Sequence, residues 1–207
     1  MPMYYNFLYK TLDYLIGIVF IILPVSCGKN EPSFADKVAE RIEGEYTLTD
    51  IFWTGDPIDV NGDGISSNHL YQALMSLPAN AQSLFVAEVL PFLPDHYDGV
   101  IGIQFPIQNS SATYDGKYPT GFITGGALSV SVRYQIDVEG RLSVDHFKSF
   151  GVPSTELRVE IKSMHDGTVS FDENYNLIFT AGYTFYDHLT VGLVSGVIRY
   201  TYKKIDS

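Results

Sequence analysis

The sequence predicts an antiparallel all-β domain behind an export leader. Three observations carry this: a hydrophobic N-terminal run ending at the single cysteine, Cys27; strand-like alternation through most of the chain after Leu84; and turn residues at hairpin spacing between the alternating runs. A closed barrel and a β-sandwich both satisfy that pattern, and the up-and-down barrel is the primary expectation.

Lys10 and the amino terminus form a weak positive region, partly cancelled by Asp13, and Tyr14 to Leu23 is apolar or aromatic apart from Gly17. A helix crossing the hydrocarbon needs about 20 apolar residues, so this shorter run suits a signal segment. The sequence Ile21-Ile22-Leu23-Pro24-Val25-Ser26-Cys27-Gly28 resembles a bacterial lipoprotein signal, with a small residue before a cysteine that becomes the lipidated N-terminus. Pro24 stands where a stricter version has Leu. The resemblance implies a signal peptide over 1–26, an anchored linker over 27–32 and a domain over 33–207. Gly28 after the cysteine, where a retention signal tends to place Asp, favours the outer membrane, on either its periplasmic or its surface face.

With no second cysteine, no intrachain disulfide can form, and thiol catalysis or a cysteine-based zinc site is excluded from the mature body. The chain carries 13 basic and 24 acidic residues, a net charge of −11, and loss of residues 1–26 removes one of each. Such an acidic body disfavours nucleic acid, whose binding rests on neutralising phosphates with Lys and Arg.

Ser33 with Asp36 three residues on has the order of a capping box, and Phe34, Val38 and Ile42 place one apolar stripe on the helix that follows, with Gly44 as its stop. Glu45 to Trp53 reads as a first strand, bulged near Thr49-Asp50 where the alternation slips. Ser67-Asn68 predicts a cap for a second helix through Leu77, with Leu70, Leu74 and Leu77 on its buried face. Runs at Leu84–Phe92 and Val100–Ile107 are joined through Pro94 to Gly99. Between Ala127 and Val138, Leu128, Val130, Val132, Tyr134, Ile136 and Val138 share one face, and Glu139-Gly140 turns the chain into Arg141–Phe147. Further strands are expected at Thr155–Met164, Thr168–Phe171, Leu177–Tyr186 and Val191–Ile205, with turns at His165-Asp166-Gly167 and Glu173 to Asn176.

A short helix leading through Gly44-Glu45-Tyr46 into a first strand, followed by hairpins, resembles the lipocalin architecture. In that family a Gly-x-Trp opens the first strand and an Arg near the last strand packs over the Trp. The resemblance implies Tyr46 and Arg199 as a structural pair closing one barrel end. The stretch Gly55 to Gly64 with its Leu-rich helix is similar to the corresponding loop of lipocalin-like lipoproteins of the Bacteroidota type. Fold analogy of this kind names no ligand.

Asp59-x-Asn61-x-Asp63-Gly64 is the first half of an EF-hand-type calcium loop, in which alternating oxygen side chains converge on a hard cation and Gly permits the sharp turn. The twelfth position is Leu70 where a bidentate carboxylate belongs, so calcium there would be weak. The other reading is a turn in which Asp and Asn satisfy local backbone. The histidines at 69, 96, 146, 165 and 188 lack zinc spacing. Ser195 lacks the Gly two residues ahead that a nucleophile elbow needs, and Asp95 and Asp98 read as turn residues. Tyr134, Tyr183, Tyr186, Tyr200 and Tyr202 either line a ligand cup or fill a core. The expectation is therefore a lipid-anchored, non-catalytic binding protein for a small apolar or amphipathic ligand or a partner protein. An adhesin or assembly component with a sandwich body is the alternative.

Overall fold

A computed structural model describes residues 31–81, 83–92, 97–110, 123–149 and 164–205. The leader with Cys27, the turn residues Asp95 and His96 and nearly all of the expected strand 155–164 lie outside the described residues. Helix α1 (Phe34–Ile42) precedes β1 (Gly44–Trp53), and a loop with the short helix α2 (Tyr71–Met75) leads to β2 (Val86–Pro91). Then come β3 (Asp98–Ser110), β4 (Ile123–Ile136), β5 (Leu142–Val144), β6 (Phe147–Ser149), β7 (His165–Phe171), β8 (Leu177–Asp187) and β9 (Gly192–Lys204).

The sheet order is β5-β4-β3-β2-β1-β9-β8-β7-β6, every pairing antiparallel. Its two ends, β5 and β6, follow each other in the chain across Asp145-His146. Together they form one kinked stave that leaves β4 and joins β7. The architecture is thus an eight-strand, nearly closed, up-and-down barrel, with β1 and β9 pairing the first strand to the last. The sandwich alternative is set aside.

Alternation holds where expected: Val130, Val132, Tyr134 and Ile136 of β4 are buried with polar residues between them. β1 carries its bulge where the register shifts between Leu48 and Asp50. The interior is filled. Phe105, Phe179 and Tyr200 form one aromatic cluster with ring centroids 5.1 to 5.9 Å apart. Trp53 meets Phe185 edge-on at 5.3 Å.

Three tyrosines solve a backbone problem there. Among the described residues β2 pairs with β3 as far as Ile103, and the carbonyls beyond it on that side are met by side chains instead. Tyr202 donates to the Gln104 carbonyl at 2.7 Å, Tyr200 to Pro106 at 3.0 Å and Tyr183 to Gln108 at 2.7 Å. Buried carbonyls need partners, and a tyrosine brings a donor at the tip of an apolar body.

Helix α1 lies across one mouth. Its capping box is formed: Ser33 Oγ accepts from the Asp36 N–H and the Asp36 carboxylate accepts from the Ser33 N–H. At its other end Lys204 Nζ donates to the carbonyls of Glu40 and Arg41 at 3.0 and 2.9 Å. Ala35 and Ile42 are buried, whereas Phe34 is 72% exposed, so the expected stripe is rotated toward Ala35. The opposite mouth is covered by Ile58, Val60, Leu70, Leu74 and Leu77.

Other expectations are corrected. α2 is only five residues long and begins after Leu70 without a side-chain cap. Asn68 instead donates to the carbonyls of Trp53 and Gly55, and Ser67 bridges to Ile58. His165-Asp166-Gly167 belongs to β7, as a bulge with Asp166 at φ 51°, rather than to a turn. Tyr46 and Arg199 do not pair. Arg199 alternates with buried Ile198 and Tyr200 and so faces outward, its guanidinium 5.2 Å from the Phe52 ring, while Tyr46 points inward and donates to the Ile42 carbonyl.

Candidate functional site

Asp59, Asn61 and Asp63 come together in a tight loop whose hydrogen bonds are largely internal. Asp59 is 1% exposed; its Oδ1 accepts the Gly62 N–H at 2.8 Å and its Oδ2 the Gly64 N–H at 2.9 Å. Gly62 and Gly64 sit at φ 78° and 84°, which is why glycine occupies both places. Asp63 accepts from the Ile65 N–H and from Asn61 Nδ2, and Asn61 Nδ2 also reaches Ser76 Oγ. Leu70, at the twelfth position, is fully buried in the core. Among the described residues, no group of three or more His, Cys, Asp or Glu is placed to hold a metal ion.

The loop is tied to the β8–β9 turn. Asp187 Oδ1 accepts the Asp59 N–H at 2.8 Å, and the His188 N–H donates to the Asp59 carbonyl. Burial pushes the Asp187 carboxyl up, but hydrogen bonds from Thr190, Asp59 and Leu189 outweigh it and hold the group below the usual carboxylate value. Asp187 thereby locks the hairpin and the loop together.

The remaining sequence candidates are dispersed. His69 lies against Phe52 and Asp50, His165 against Asp166 and Gly182, and His188 against Tyr186 and Gly62. Ser195 faces outward and shares a hydrogen bond with Thr184. Asp98 opens β3. Tyr134, Tyr183, Tyr200 and Tyr202 are buried in the packed interior, while Tyr186 is buried on the other face of β8, its ring edge-on to His188 at 5.2 Å. Burial pushes the hydroxyls of Tyr183, Tyr200 and Tyr202 well up, and burial together with Glu43 takes Tyr134 up to about 12.

A site that the sequence did not reveal lies beside α1. Where the stave kinks, β5 leaves β7, and a cleft of about 430 Å³ opens between the helix and these strands. Val38 and Ile42 form its helical wall, Leu142 and Val144 the β5 side, and Val169, Phe171 and Tyr175 the far wall. Asp172, Glu173 and Ser170 supply its polar edge. Burial draws the Asp172 carboxyl up, yet the side chain and backbone of Asn176 and the backbone of Asn174 hold it below its ordinary value. Arg41 sits over the Tyr175 ring at 5.1 Å and donates to its hydroxyl at 2.8 Å, placing a cation at the rim. A second cleft of about 540 Å³ runs from Tyr97 and Asp98 to Arg141 and Leu142. The alternation of β5 and β7 was legible, but their separation at the kink was not. Comparison of the chain with protein-family models, with curated proteins and with solved structures finds no match.

Proposed function

We propose that the protein is a lipid-anchored, exported, non-catalytic binding protein of the outer membrane, attached through Cys27, and that it takes a small apolar or amphipathic ligand in the cleft beside α1. The observation that carries this reading is the cleft itself, about 430 Å³ with apolar walls from α1, β5 and β7 and Arg41 over Tyr175 at its edge. Binding sites of this kind combine apolar lining with a few polar groups that orient the ligand. The separate placement of His69, His165, His188 and Ser195 supports binding over catalysis. The resemblance to lipocalin-like lipoproteins of the Bacteroidota type fits this reading, with the ligand site moved from a central cup to the seam of the barrel.

The test is titration with a fluorescent long-chain fatty acid. Val38→Trp, which fills the cleft from the helix side, should weaken probe binding roughly tenfold, the loss expected when one good apolar contact is replaced by a clash. Unchanged affinity in a variant with a native melting curve would overturn the assignment of the cleft.

A second reading is partner docking through the β8–β9 hairpin. Leu189 and Val191 are exposed in its turn and Leu193 at the start of β9, forming a cluster of exposed apolar side chains.

A further inference from the structure

The proposed anchor reaches the body at one definite place. Cys27 lies six residues before Ser33, the N-cap of α1, so even a fully extended connection spans only about 20 Å. The N-terminus of α1 is held between two hairpin turns. Tyr97 of the β2–β3 connection donates to Asp36 at 2.9 Å and lies 3.3 Å from Ser33 Oγ, while Gly140 of the β4–β5 turn packs against Phe34.

Each of these three elements exposes an apolar side chain at this end: Phe34 at 72%, Phe92 at 50% and Val138 at 82%. Cations accompany them. Lys37 Nζ is 5.7 Å from the Phe34 ring centroid, the Arg133 guanidinium is 5.9 Å from that of Phe92, and Arg141 joins the turn that carries Val138. Aromatic and aliphatic tips beside long basic side chains match a lipid interface, where rings enter the acyl boundary and basic heads stay with the phosphates.

We infer that this end of the barrel, formed by Phe34, Phe92 and Val138, seats on the surface of the bilayer to which Cys27 is anchored. The inference rests on the lipid-anchor reading of Cys27. A tether this short keeps the rim at high effective concentration beside the lipid, so a weak seat suffices. Asp36, Asp137 and Glu139 share the same end and are engaged by Ser33 and Arg141. That mixed charge selects a zwitterionic surface over a strongly anionic one. Seated this way, the cleft beside α1 opens next to the membrane and the β8–β9 hairpin points away from it.

The full-length protein, purified from its membrane fraction and placed in phosphatidylcholine nanodiscs, supplies the test. Phe34→Trp and Val138→Trp report on the proposed seat and Leu189→Trp on the opposite end, with the buried Trp53 of the unsubstituted protein as background. Acyl-brominated lipid should reduce the added emission of the first two roughly twofold or more, because interfacial side chains sit about 5–10 Å into the headgroup and acyl boundary. The Leu189→Trp emission should not change. Intact-mass measurement of the same samples reads acylation of Cys27. Acylated protein with no quenching at positions 34 and 138, or with equal quenching at 189, overturns the seat and leaves the anchor standing. Protein without acylation overturns the anchor, and the seat with it.

Discussion

The side chain of Gln108 takes the place of a strand beside Tyr186. Its Nε2 donates to the Tyr186 carbonyl at 2.9 Å and its Oε1 accepts the Tyr186 N–H at 2.7 Å, while Nε2 also reaches the Val60 carbonyl at 2.7 Å. Among the described residues β7 accompanies β8 as far as Gly182, and past that point the Gln108 amide bonds the Tyr186 backbone on the same side. One amide thus joins β3, β8 and the loop after β1 across the barrel.

Replacing this amide by an apolar side chain of similar length isolates its role. Gln108→Met keeps the volume and removes the side-chain bonds to one N–H and two carbonyls, at about 1–3 kcal/mol for a buried group that loses its bond. The expected loss is about 3 kcal/mol in urea unfolding, with little change in m-value. A loss below about 1 kcal/mol would mean that water or a shifted backbone replaces the bonds.

Trp53 is confined by glycine. A Cβ at Gly196 would stand 2.6 Å from the indole ring. Gly196→Ala should destabilise by about 1–3 kcal/mol, the usual result of overpacking a filled core. Trp53 emission should shift at the same time. Gly102→Ala, where a Cβ meets nothing within 4 Å, should be neutral or slightly stabilising.

The buried tyrosines set an alkaline limit. Burial raises Tyr183, Tyr200 and Tyr202 above their ordinary value and Tyr134 to about 12. A folded-state pKa above that of the unfolded chain stabilises fully below about pH 10 and loses its contribution as pH rises from there through the folded value. Stability should therefore hold to about pH 10 and fall beyond it, with late tyrosinate absorbance rising together with loss of circular dichroism. Free titration of all tyrosines near pH 10 in a folded protein would contradict the buried hydroxyls.

The two aspartates of the calcium-like loop should separate. Asp59 carries two backbone N–H groups and is buried, so Asp59→Ala is expected to lower stability by about 1–3 kcal/mol. Asp63 is exposed, so Asp63→Ala should cost about 1 kcal/mol or less. Calorimetric titration should give calcium binding at or weaker than about 10⁻⁴ M, since the twelfth-position carboxylate is missing. Micromolar binding abolished by Asp63→Ala would establish a true ion site.

Local chemistry was legible in the sequence. The Ser33–Asp36 box, the face of β4, the bulge near Thr49-Asp50 and the buried Leu70, Leu74 and Leu77 each follow from neighbours a few residues apart. A period of two assigns a residue to a face. It does not say which strand lies alongside, how far that pairing runs, or what stands across the interior. Pairing of β1 with β9, the kink dividing β5 from β6, and the early end of β2 against β3 are decided between residues far apart in the chain. The tyrosine hydroxyls on β3 carbonyls, the Gln108 crosslink and the cleft beside α1 all follow from those pairings. The alternation that sends Tyr200 inward also turns Arg199 outward onto Phe52, away from Tyr46, but the Phe52–Arg199 register required the assembled barrel.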